Sequence, residues 1–455
     1  MNQPESIWSP AALITRALGI RREEFAAVAW SFAYFFCLLA AYYMLRSVRE
    51  AMAIVGGTEN IPWLFTGTFV VMLLATPVFG WVASRFPRKT FLPWVYYFFI
   101  ANILIFFAAF SYAEARALNQ IWIARAFFVW LSVFNLFVVS VFWSFMADIY
   151  SKEQCRRLFG VISAGGSAGA LLGPIVTGMV VIPIGFRNLL PLSSLLLLVA
   201  IYCVYRLRRW TLEHETGAQK EAVESNTPLG GSPLDGIRQV FTSRYFSSIA
   251  LALLLANFLG GVIYMFMAEM VSIEFPATGQ QIVAGVASPN TDKHTQVFAL
   301  LDAITNALSL IGQLLIVRYS VRNLGVGTTL AVLPVVSIIG FALLAFNPTF
   351  VILAGLQVLR RSIGFGLTKP TSDMLYAVVS PEARYKAKNF IDTAIYRASD
   401  TVTTWSVKLI GTLGFGLGGI AFICVPIAAI WTALALFIGR QYDERDRAHS
   451  PEPET

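Results

Sequence analysis

The first long apolar run of the chain occupies residues 26–46 and reads AAVAWSFAYFFCLLAAYYMLR, with one charged side chain, Arg46, at its end. A helix that crosses the roughly 30 Å hydrocarbon core of a bilayer needs about 20 mostly apolar residues, so this run predicts a membrane helix. The rest of the chain is similar, since 57% of its 455 residues are hydrophobic and 13% are charged. Soluble domains average about 45–50% hydrophobic residues and about 25% charged residues. The composition therefore excludes a soluble protein.

Eleven further runs of this kind follow, and together the runs form two sets of six around a polar stretch at 207–245. They lie at 61–83, 90–112, 120–147, 158–183, 188–206, 246–271, 296–317, 324–346, 348–368, 389–413 and 415–439. This pattern predicts an all-α membrane protein with twelve transmembrane helices in two six-helix bundles. The predicted parts are a cytoplasmic N-terminal segment at 1–25, bundles at 26–206 and 246–439, a cytoplasmic linker at 207–245 and a cytoplasmic tail at 440–455.

Lysine and arginine are distributed unequally between the loops, and this bias predicts the orientation in the membrane. With a cytoplasmic N-terminus, the inner loops hold Arg16, Arg21, Arg22, Arg85, Arg88, Lys89, Lys152, Arg156, Arg157, Arg206, Arg208, Arg209, Arg318, Arg322, Arg384, Lys386, Arg440, Arg445 and Arg447. The outer loops then hold Arg49, Arg116, Arg187 and Lys293. We therefore expect a multi-pass protein of a bacterial-type inner membrane with both termini in the cytoplasm. The net charge of +8 belongs to these loops, and we expect no nucleic-acid partner.

Residues that carry cofactor or catalytic chemistry are sparse. The four cysteines lie far apart without a CxxC pair, and none of the three histidines lies in an apolar run. The sequence therefore supports no disulfide framework, no metal site and no cofactor. It also lacks the GxxxxGK[ST] phosphate loop and the HExxH helix. We expect a protein that is not an enzyme and that draws on a solute gradient or on a proton taken up by a carboxylate.

Polar and ionisable side chains inside the predicted spans are candidates for a solute path, because a charge in a bilayer is costly unless it is paired or hydrated. These side chains include more cations than a neutral solute would need, and this excess favours a small anionic solute. The candidates for binding it are Arg49, Glu50, Arg125, Asn135, Asn306, Gln357, Lys369, Lys388, Tyr396 and Arg397. The candidates for charge pairing or proton coupling are Glu269, Asp302, Asp392 and Asp400.

Alternatives stay open for several of these groups. Mid-span charges such as Asp302 and Asp392 either line a cavity or form structural salt bridges between helices. Cations near span ends, Arg46 among them, are expected to extend toward the lipid headgroups. The adjacent Arg360 and Arg361 point about 100° apart, so at most one of them can face a cavity. The eighth span carries one polar stripe, which consists of Asp302, Asn306, Ser309 and Gln313.

The fifth run contains GVISAGGSAGALLGPIVTG at 160–178, in which Gly165, Gly169 and Gly173 are spaced by four. Small residues at this spacing let two helix backbones approach closely in lipid, and Pro174 predicts a bend. The segment resembles the glycine-proline segment of facilitator antiporters. Plain helix packing, with no bearing on antiport, is the alternative interpretation.

Six plus six spans around a basic central loop is the layout of the major facilitator fold, in which two halves rock about a central site. The segment GWVASRFPRK at 80–89 resembles the loop after the second helix in this superfamily, with Ser84 in place of its aspartate. GQLLIVRYSVR at 312–322 occupies the equivalent place in the second half. In this resemblance the gating loop consists of Gly80, Arg85, Arg88 and Lys89.

Three segments carry a more specific resemblance. They are YYMLRSVREAMAIVGGTENIPWL at 42–64, FWSFMADIYSKEQCRRLFGVISAGGSAGALL at 142–172 and LTKPTSDMLYAVVSPEARYKAKNFID at 367–392. Through them the chain resembles the ATP/ADP translocase family of plastids and obligate intracellular bacteria, which are nucleotide exchangers of major-facilitator type. Arg49 stands where the family has a functionally important lysine, and Glu50 stands where it has aspartate. The family's Asp-Pro-x-Lys-Glu is altered here to Lys369-Pro370-x-Ser372-Asp373.

The resemblance implies a secondary active transporter that moves an anionic solute by alternating access, with nucleotide exchange as the family activity. We expect it to act as a monomer in the lipid bilayer. A proton-coupled facilitator for a drug, a peptide or a cell-wall fragment stays open as a second hypothesis. A membrane-embedded enzyme or sensor is a third, but it requires a reactive cluster at one membrane face, and the sequence contains none.

Overall fold

The structure of the protein is a computed structural model that describes residues 20–85, 88–213, 240–276, 290–379, 387, 391 and 395–449. Within these ranges the backbone alone is described for residues 22, 76–85, 88–92, 152, 156, 397, 448 and 449. Every regular element of the described ranges is helical, and they contain no β-strand. The predicted all-α class is therefore confirmed.

The α-helices are numbered in chain order through the described ranges. They are α1 Phe25–Val55, α2 Ile61–Arg85, α3 Arg88–Ala115, α4 Ile121–Ile149, α5 Lys152–Ile184, α6 Leu189–Glu213, α7 Arg244–Glu274, α8 Asn290–Ile311, α9 Val317–Phe346, α10 Phe350–Ile363, α11 Lys369–Met374, α12 Tyr396–Thr412 and α13 Leu417–His449. Ten helical segments of the described chain are long and apolar enough to cross a membrane. Apolar runs of the sequence thus fold as membrane-length helices.

Irregular turns change the register of the helices in the second half of the chain. Two π-helical turns, Gly312–Ile316 and Gly364–Thr368, join α8 to α9 and α10 to α11. These turns touch each other, because a Cβ on Gly312 would lie 3.2 Å from the Cα of Gly366. Within α9, Gly325 has a φ of 78°, a left-handed conformation that interrupts the helix and favours glycine.

The chain divides into two compact units whose boundaries fall inside helices. Unit 1 comprises Met1–Arg49, Val71–Pro228 and Gln281–Ala303. Unit 2 comprises Glu50–Val70, Leu229–Gln280 and Ile304–Thr455. These packing units and the two predicted six-helix bundles are different partitions of the chain, and the boundaries of the bundles stay a prediction.

In unit 1, α1 packs against α5 along the predicted glycine stripe. A Cβ on Gly169 would collide with the carbonyl oxygen of Phe36. A Cβ on Gly173 would lie 2.8 Å from the carbonyl oxygen of Ala40. The two backbones therefore touch where the four-residue spacing predicted a close approach. In a bilayer, where apolar burial drives little association, such van der Waals contact holds helices together.

Aromatic side chains fill the layer between α1, α3 and α4 in unit 1. The ring of Phe35 stacks on that of Phe142 with the centroids 4.1 Å apart. The hydroxyl groups of Tyr34 and Tyr96 hydrogen-bond to each other inside this layer. Pairing the hydroxyls satisfies polar atoms that would otherwise be buried alone, so these tyrosines can pack like phenylalanines.

A buried carboxylate fastens the start of α1 to the start of α5. Glu24 accepts hydrogen bonds from Arg157 at 2.7 Å and from Gln154 at 3.0 Å. It also accepts one from the backbone N–H of Arg21 at 3.0 Å. Burial acts to raise the pKa of Glu24, but these hydrogen bonds outweigh burial and hold the pKa below its usual value. Ser151 and Gln154 form a capping box that starts α5 directly beside this cluster.

Unit 2 uses close backbone contacts and buried hydrogen bonds. A Cβ on Gly327 of α9 would lie 3.0 Å from the Cα of Gly439 on α13, so these two helices also approach through glycine. Tyr245 of α7 donates its hydroxyl to the carbonyl of Leu375 at 2.8 Å. This bond links the beginning of α7 to the residue that follows α11.

Candidate functional site

An ion pair in unit 1 joins α1 to α8. Nη1 of Arg46 lies 3.6 Å from Oδ2 of Asp302, and Asp302 is only 3% exposed. From the sequence we expected Asp302 to pair with another charge and Arg46 to extend toward the lipid headgroups. The structure gives Arg46 a buried carboxylate instead. A pairing between helices so far apart in the sequence leaves no local signal.

Arg49 lies against one face of α4 in unit 1. Its guanidinium carbon is 4.5 Å from the centroid of the Phe128 ring, and Nη1 donates to Oγ of Ser132 at 3.4 Å. An aromatic face attracts a cation, and a hydroxyl oxygen accepts hydrogen bonds from it. These two contacts orient the guanidinium toward α4.

The same face of α4 carries the other two predicted residues of this helix. Arg125 and Asn135 are spaced three or four residues from Phe128 and Ser132, so all four lie along one side of the helix. Arg125 lies over the ring of Trp122 at 4.8 Å, and Asn135 is half-buried. Arg125 and Asn135 therefore share one face of α4 with the two residues that contact Arg49.

Glu50, in unit 2, is buried and bound to α7. Its Oε2 accepts a hydrogen bond from the hydroxyl of Tyr264 at 2.6 Å. The Tyr264 ring in turn packs edge-on against Phe65, with the centroids 5.3 Å apart. The neighbouring part of α2 reaches α12, because Trp405 donates Nε1 to Oγ1 of Thr66 at 3.0 Å. The predicted site residue Glu50 is therefore fixed by an aromatic network that the sequence did not indicate.

The predicted polar stripe of the eighth span is divided by the structure. Asp302 belongs to the ion pair of unit 1, while Asn306 is half-buried in unit 2. Ser309 returns its hydroxyl to the carbonyl of Thr305 at 2.7 Å. Gln313 lies in the π-helical turn after α8, is exposed, and donates Nε2 to the carbonyl of Phe365 at 3.0 Å. The stripe assumed a regular helical period, and the π-helical turn changes that period.

Three polar residues of α10 lie in unit 2. Gln357 is 8% exposed, and its Oε1 has no hydrogen-bond partner among the described residues. Arg360 donates Nη2 to the carbonyl of Ala256 on α7. Arg361 extends over the ring of Phe365 at 6.0 Å. The two adjacent arginines thus point in different directions, as their spacing predicts.

The remaining described candidates lie in more exposed positions. Lys369 and Asp373 form an i,i+4 ion pair at 3.3 Å with side chains 53% and 40% exposed, so this pair adds little stability. Glu269 near the end of α7 and Tyr396 at the start of α12 are exposed. Asp400 is half-buried on α12, where its carbonyl accepts the hydroxyl of Thr404 at 3.1 Å.

Some predicted residues fall outside what the structure describes. Lys388 and Asp392 lie outside the described residues, and so does the side chain of Arg397. Gly80 and Arg85 lie at the end of α2. For the predicted gating loop, Gly80, Arg85, Arg88 and Lys89, the structure describes the backbone alone.

Long apolar helices with buried charges on several of them are typical of multi-pass membrane transporters. Residues 25–399 match the family model of the Major Facilitator Superfamily, and the chain belongs to this superfamily. The protein is accordingly a secondary transporter and not an enzyme.

A curated relative supports a closer relationship. The chain is 22% identical over 513 aligned residues to "ADP,ATP carrier protein 2" of Chlamydia pneumoniae, with 94% of this chain and 90% of that protein covered. The expected relationship to ATP/ADP translocases within the major facilitator transporters is therefore confirmed.

Solved structures of transporters share the fold. A bacterial homologue of the iron transporter ferroportin, in an inward-facing state, is 14% identical with a TM-score of 0.61, covering 92% of this chain and 98% of that one. A peptide transporter POT in complex with sulfate has 14% identity and a TM-score of 0.57, covering 91% and 95%. The nucleoside transporter NupG has 14% identity and a TM-score of 0.55, covering 94% and 100%. At such identities the likeness concerns the fold alone.

Proposed function

We propose that this transporter exchanges nucleotides, such as ATP and ADP, across the membrane by alternating access. The observation that carries the proposal is the position of Arg49. Its guanidinium lies against a ring face and a hydroxyl of α4, and these contacts fix the position of a cation on a membrane helix. Phosphate groups are ligands that arginine binds well. The name of the Chlamydia pneumoniae relative, an ADP,ATP carrier protein, supports nucleotide as the solute.

Other predicted residues belong to the same proposed solute path. Arg125 and Asn135 share the α4 face with the contacts of Arg49. We propose that Asp302 holds Arg46 in the empty carrier and releases it when an anion binds. Further proposed binding or coupling residues are Glu50, Glu269, Asn306, Gln357, Lys369, Lys388, Asp392, Tyr396, Arg397 and Asp400. The proposed gating loop consists of Gly80, Arg85, Arg88 and Lys89.

The topology proposal is twelve crossings in two six-helix bundles at 26–206 and 246–439. One apolar segment, Asn290–Phe346, has 57 residues. A helix of that length would span about 85 Å, which exceeds the roughly 30 Å of hydrocarbon and supports two crossings. The left-handed Gly325 offers a natural boundary between them. Helix α12 has 17 residues, just below the length of a typical span, and supports a further crossing.

The loop charges support cytoplasmic termini in a bacterial-type inner membrane. We propose that the linker at 207–245 and the segments 1–25 and 440–455 are cytoplasmic. We also propose that the monomer is the transporting species. Cysteine accessibility at engineered positions in whole cells would test the orientation.

Exchange in proteoliposomes tests the proposed activity. Vesicles that contain the purified protein and are preloaded with ADP should take up labelled ATP, and empty vesicles should not. Arg49→Gln should raise the KM for ATP about tenfold or more, because it removes a charge-assisted hydrogen bond. Arg49→Lys should retain much of the affinity. Absence of exchange with every nucleotide tested would eliminate the proposal.

A matched control is available on α3. The guanidinium of Arg116 also lies over a tyrosine ring, that of Tyr112 at 5.8 Å, but both residues are exposed. Arg116→Gln therefore removes an arginine from a similar ring contact outside the proposed path. It should leave the KM for ATP unchanged.

One observation favours a second candidate, a proton-coupled facilitator for a drug, a peptide or a cell-wall fragment. Asp302 is a carboxylate buried beside Arg46, and such a group can take up a coupling proton. In this case an inward pH gradient would drive uptake without preloaded solute. Asp302→Asn would abolish that uptake, whereas in a nucleotide exchanger it would leave gradient-independent exchange measurable.

A further inference from the structure

Arg360 of α10 reaches across to α7 inside unit 2. Its Nη2 donates to the carbonyl oxygen of Ala256, and its Nη1 occupies the space beside Gly260. A Cβ on Gly260 would lie 2.5 Å from that Nη1, so a side chain there would displace the guanidinium. Glycine in the interior of a helix lowers its stability relative to alanine. Gly260 is thus explained by the room that it gives to Arg360.

Arg360 has no carboxylate partner among the described residues, unlike two other arginines of the chain. Arg46 pairs with Asp302 and Arg157 pairs with Glu24. Arg360 has the Ala256 carbonyl, and its Nε is buried without a hydrogen-bond partner in the described part of the chain. A buried guanidinium is costly unless an anion compensates it.

The groups around Arg360 are suited to an oxyanion. Gln357, one turn earlier on α10, is buried, and its amide Nε2 is a hydrogen-bond donor of the kind that an oxyanion accepts. Tyr396 of α12 lies close enough to the guanidinium to interact with it electrostatically. Helices α7 and α12 are joined beside this place, since Asn257 donates Nδ2 to Oγ of Ser399 at 2.9 Å. Arginine, amide and phenol groups all donate hydrogen bonds to phosphate-type oxygens.

We propose that Arg360 binds a phosphate group of the transported solute between α7, α10 and α12. This inference rests on the proposed nucleotide exchange for the identity of the solute, and it adds a binding residue on α10. Arginine has five N–H donors in a planar fork, and the contact with Ala256 leaves the fork able to bind a phosphate through two parallel bonds. The alternative is a purely structural role, in which Arg360 only holds α10 against α7.

Binding of pyrophosphate to purified protein in detergent separates these two roles. Isothermal titration calorimetry with pyrophosphate and with ATP would be performed on the wild type, Arg360→Gln, Arg360→Lys and the control Arg440→Gln, whose arginine is exposed on α13. We expect Arg360→Gln to weaken both ligands about tenfold or more, through loss of charge-assisted hydrogen bonds. Arg360→Lys should keep the charge and bind with intermediate affinity, because it loses the planar fork. The control should bind like the wild type.

Several outcomes would overturn the assignment. One is a variant Arg360→Gln that melts at a lower temperature but binds pyrophosphate with unchanged affinity, which would leave only the bracing role. If Arg360→Gln does not fold, Arg360→Lys with unchanged pyrophosphate affinity and unchanged KM has the same meaning. A wild type that binds neither pyrophosphate nor ATP would also overturn it. Competition of phosphatidylglycerol with pyrophosphate in the same titration would assign the site to lipid headgroups instead.

The test keeps this inference separate from nucleotide exchange. If proteoliposomes exchange nucleotides and Arg360→Gln retains the wild-type KM, the role of Arg360 is refuted while exchange stands. If no nucleotide is exchanged but pyrophosphate binding still depends on Arg360, the anion site stands and nucleotide exchange is refuted.

Discussion

Substitution of Gly169 by alanine should separate α1 from α5 and destabilise unit 1. The added Cβ would collide with the carbonyl oxygen of Phe36, which belongs to the rigid backbone of α1 and cannot rotate away. Relief needs a shift of roughly 1 Å to restore an ordinary C···O contact of about 3.3 Å. Over-packing of this kind costs about 1–3 kcal/mol, and alanine regains about 0.5–1 kcal/mol of helix stability over glycine. The net loss is therefore between about 0 and about 2.5 kcal/mol.

A control for this prediction lies on the same helix. Gly160 of α5 is exposed, and a Cβ there would meet nothing within 4 Å. Gly160→Ala should therefore gain only the helix preference of about 0.5–1 kcal/mol. The same substitution is thus expected to change the free energy of unfolding in opposite directions at two positions of α5.

Thermal unfolding in detergent, followed by tryptophan fluorescence, is the suitable measurement. The melting temperature should rank Gly160→Ala highest, the wild type next and Gly169→Ala lowest. Gly169→Leu should lie lower still or fail to fold, because its side chain adds three more carbon atoms at the contact. A melting temperature of Gly169→Ala as high as that of Gly160→Ala would refute close backbone packing between α1 and α5.

Three further predictions concern buried charges. Glu24→Gln should flatten the pH dependence of stability, because a carboxyl with a lowered pKa stabilises the fold above its unfolded pKa of about 4.3 and loses this as the pH falls through the lowered value. Arg46→Gln should cost up to about 3 kcal/mol by removing the cation that faces the buried Asp302 carboxylate, and adding Asp302→Asn should restore part of the loss. Tyr264→Phe should cost about 1.5–3 kcal/mol, because it removes the hydroxyl that donates to Glu50.

Each of these three predictions can be checked by a measurement of stability, and each has an outcome that would contradict it. Melting temperatures from about pH 6 to about pH 3.5 should fall less in Glu24→Gln than in the wild type, and parallel curves would contradict the proposed linkage. Denaturant titrations of the single and double variants of Arg46 and Asp302 should be non-additive, whereas strict additivity would mean that the pair does not interact. Glu50→Gln should be milder than Tyr264→Phe, since an amide oxygen still accepts the hydroxyl, and the reverse order would argue against this hydrogen bond.

The sequence predicts those features that depend on local pattern. Apolar runs predict the membrane-length helices, because the bilayer fixes both their length and their composition. The spacing of Gly169 and Gly173 predicts the contact with α1, because small residues four apart line one side of a helix. The partner of Arg46, by contrast, does not follow from a local pattern. Its place near the end of a run suggested an extension toward headgroups, and only tertiary packing brings Asp302 to it.

Regular periods also fail where the helix itself is irregular. The stripe from Asp302 to Gln313 assumes a constant 3.6 residues per turn. The π-helical turn Gly312–Ile316 widens that period, so Gln313 contacts the carbonyl of Phe365 instead of continuing the stripe. Nothing in GQLLI distinguishes this turn from ordinary helix in a single sequence. Its close contact with Gly366 is a property of the folded unit 2.

The partners of the arginines distinguish their roles better than their positions do. Arg157 near the start of α5 and Arg187 in the turn before α6 both contact carboxylates, those of Glu24 and Glu114. A partner of opposite charge satisfies such an arginine in the resting protein, so a solute anion would have to compete for it. Arg360 meets a neutral carbonyl, with no carboxylate partner among the described residues. An incoming phosphate would lower the electrostatic energy most at such an arginine, because it displaces no existing ion pair there.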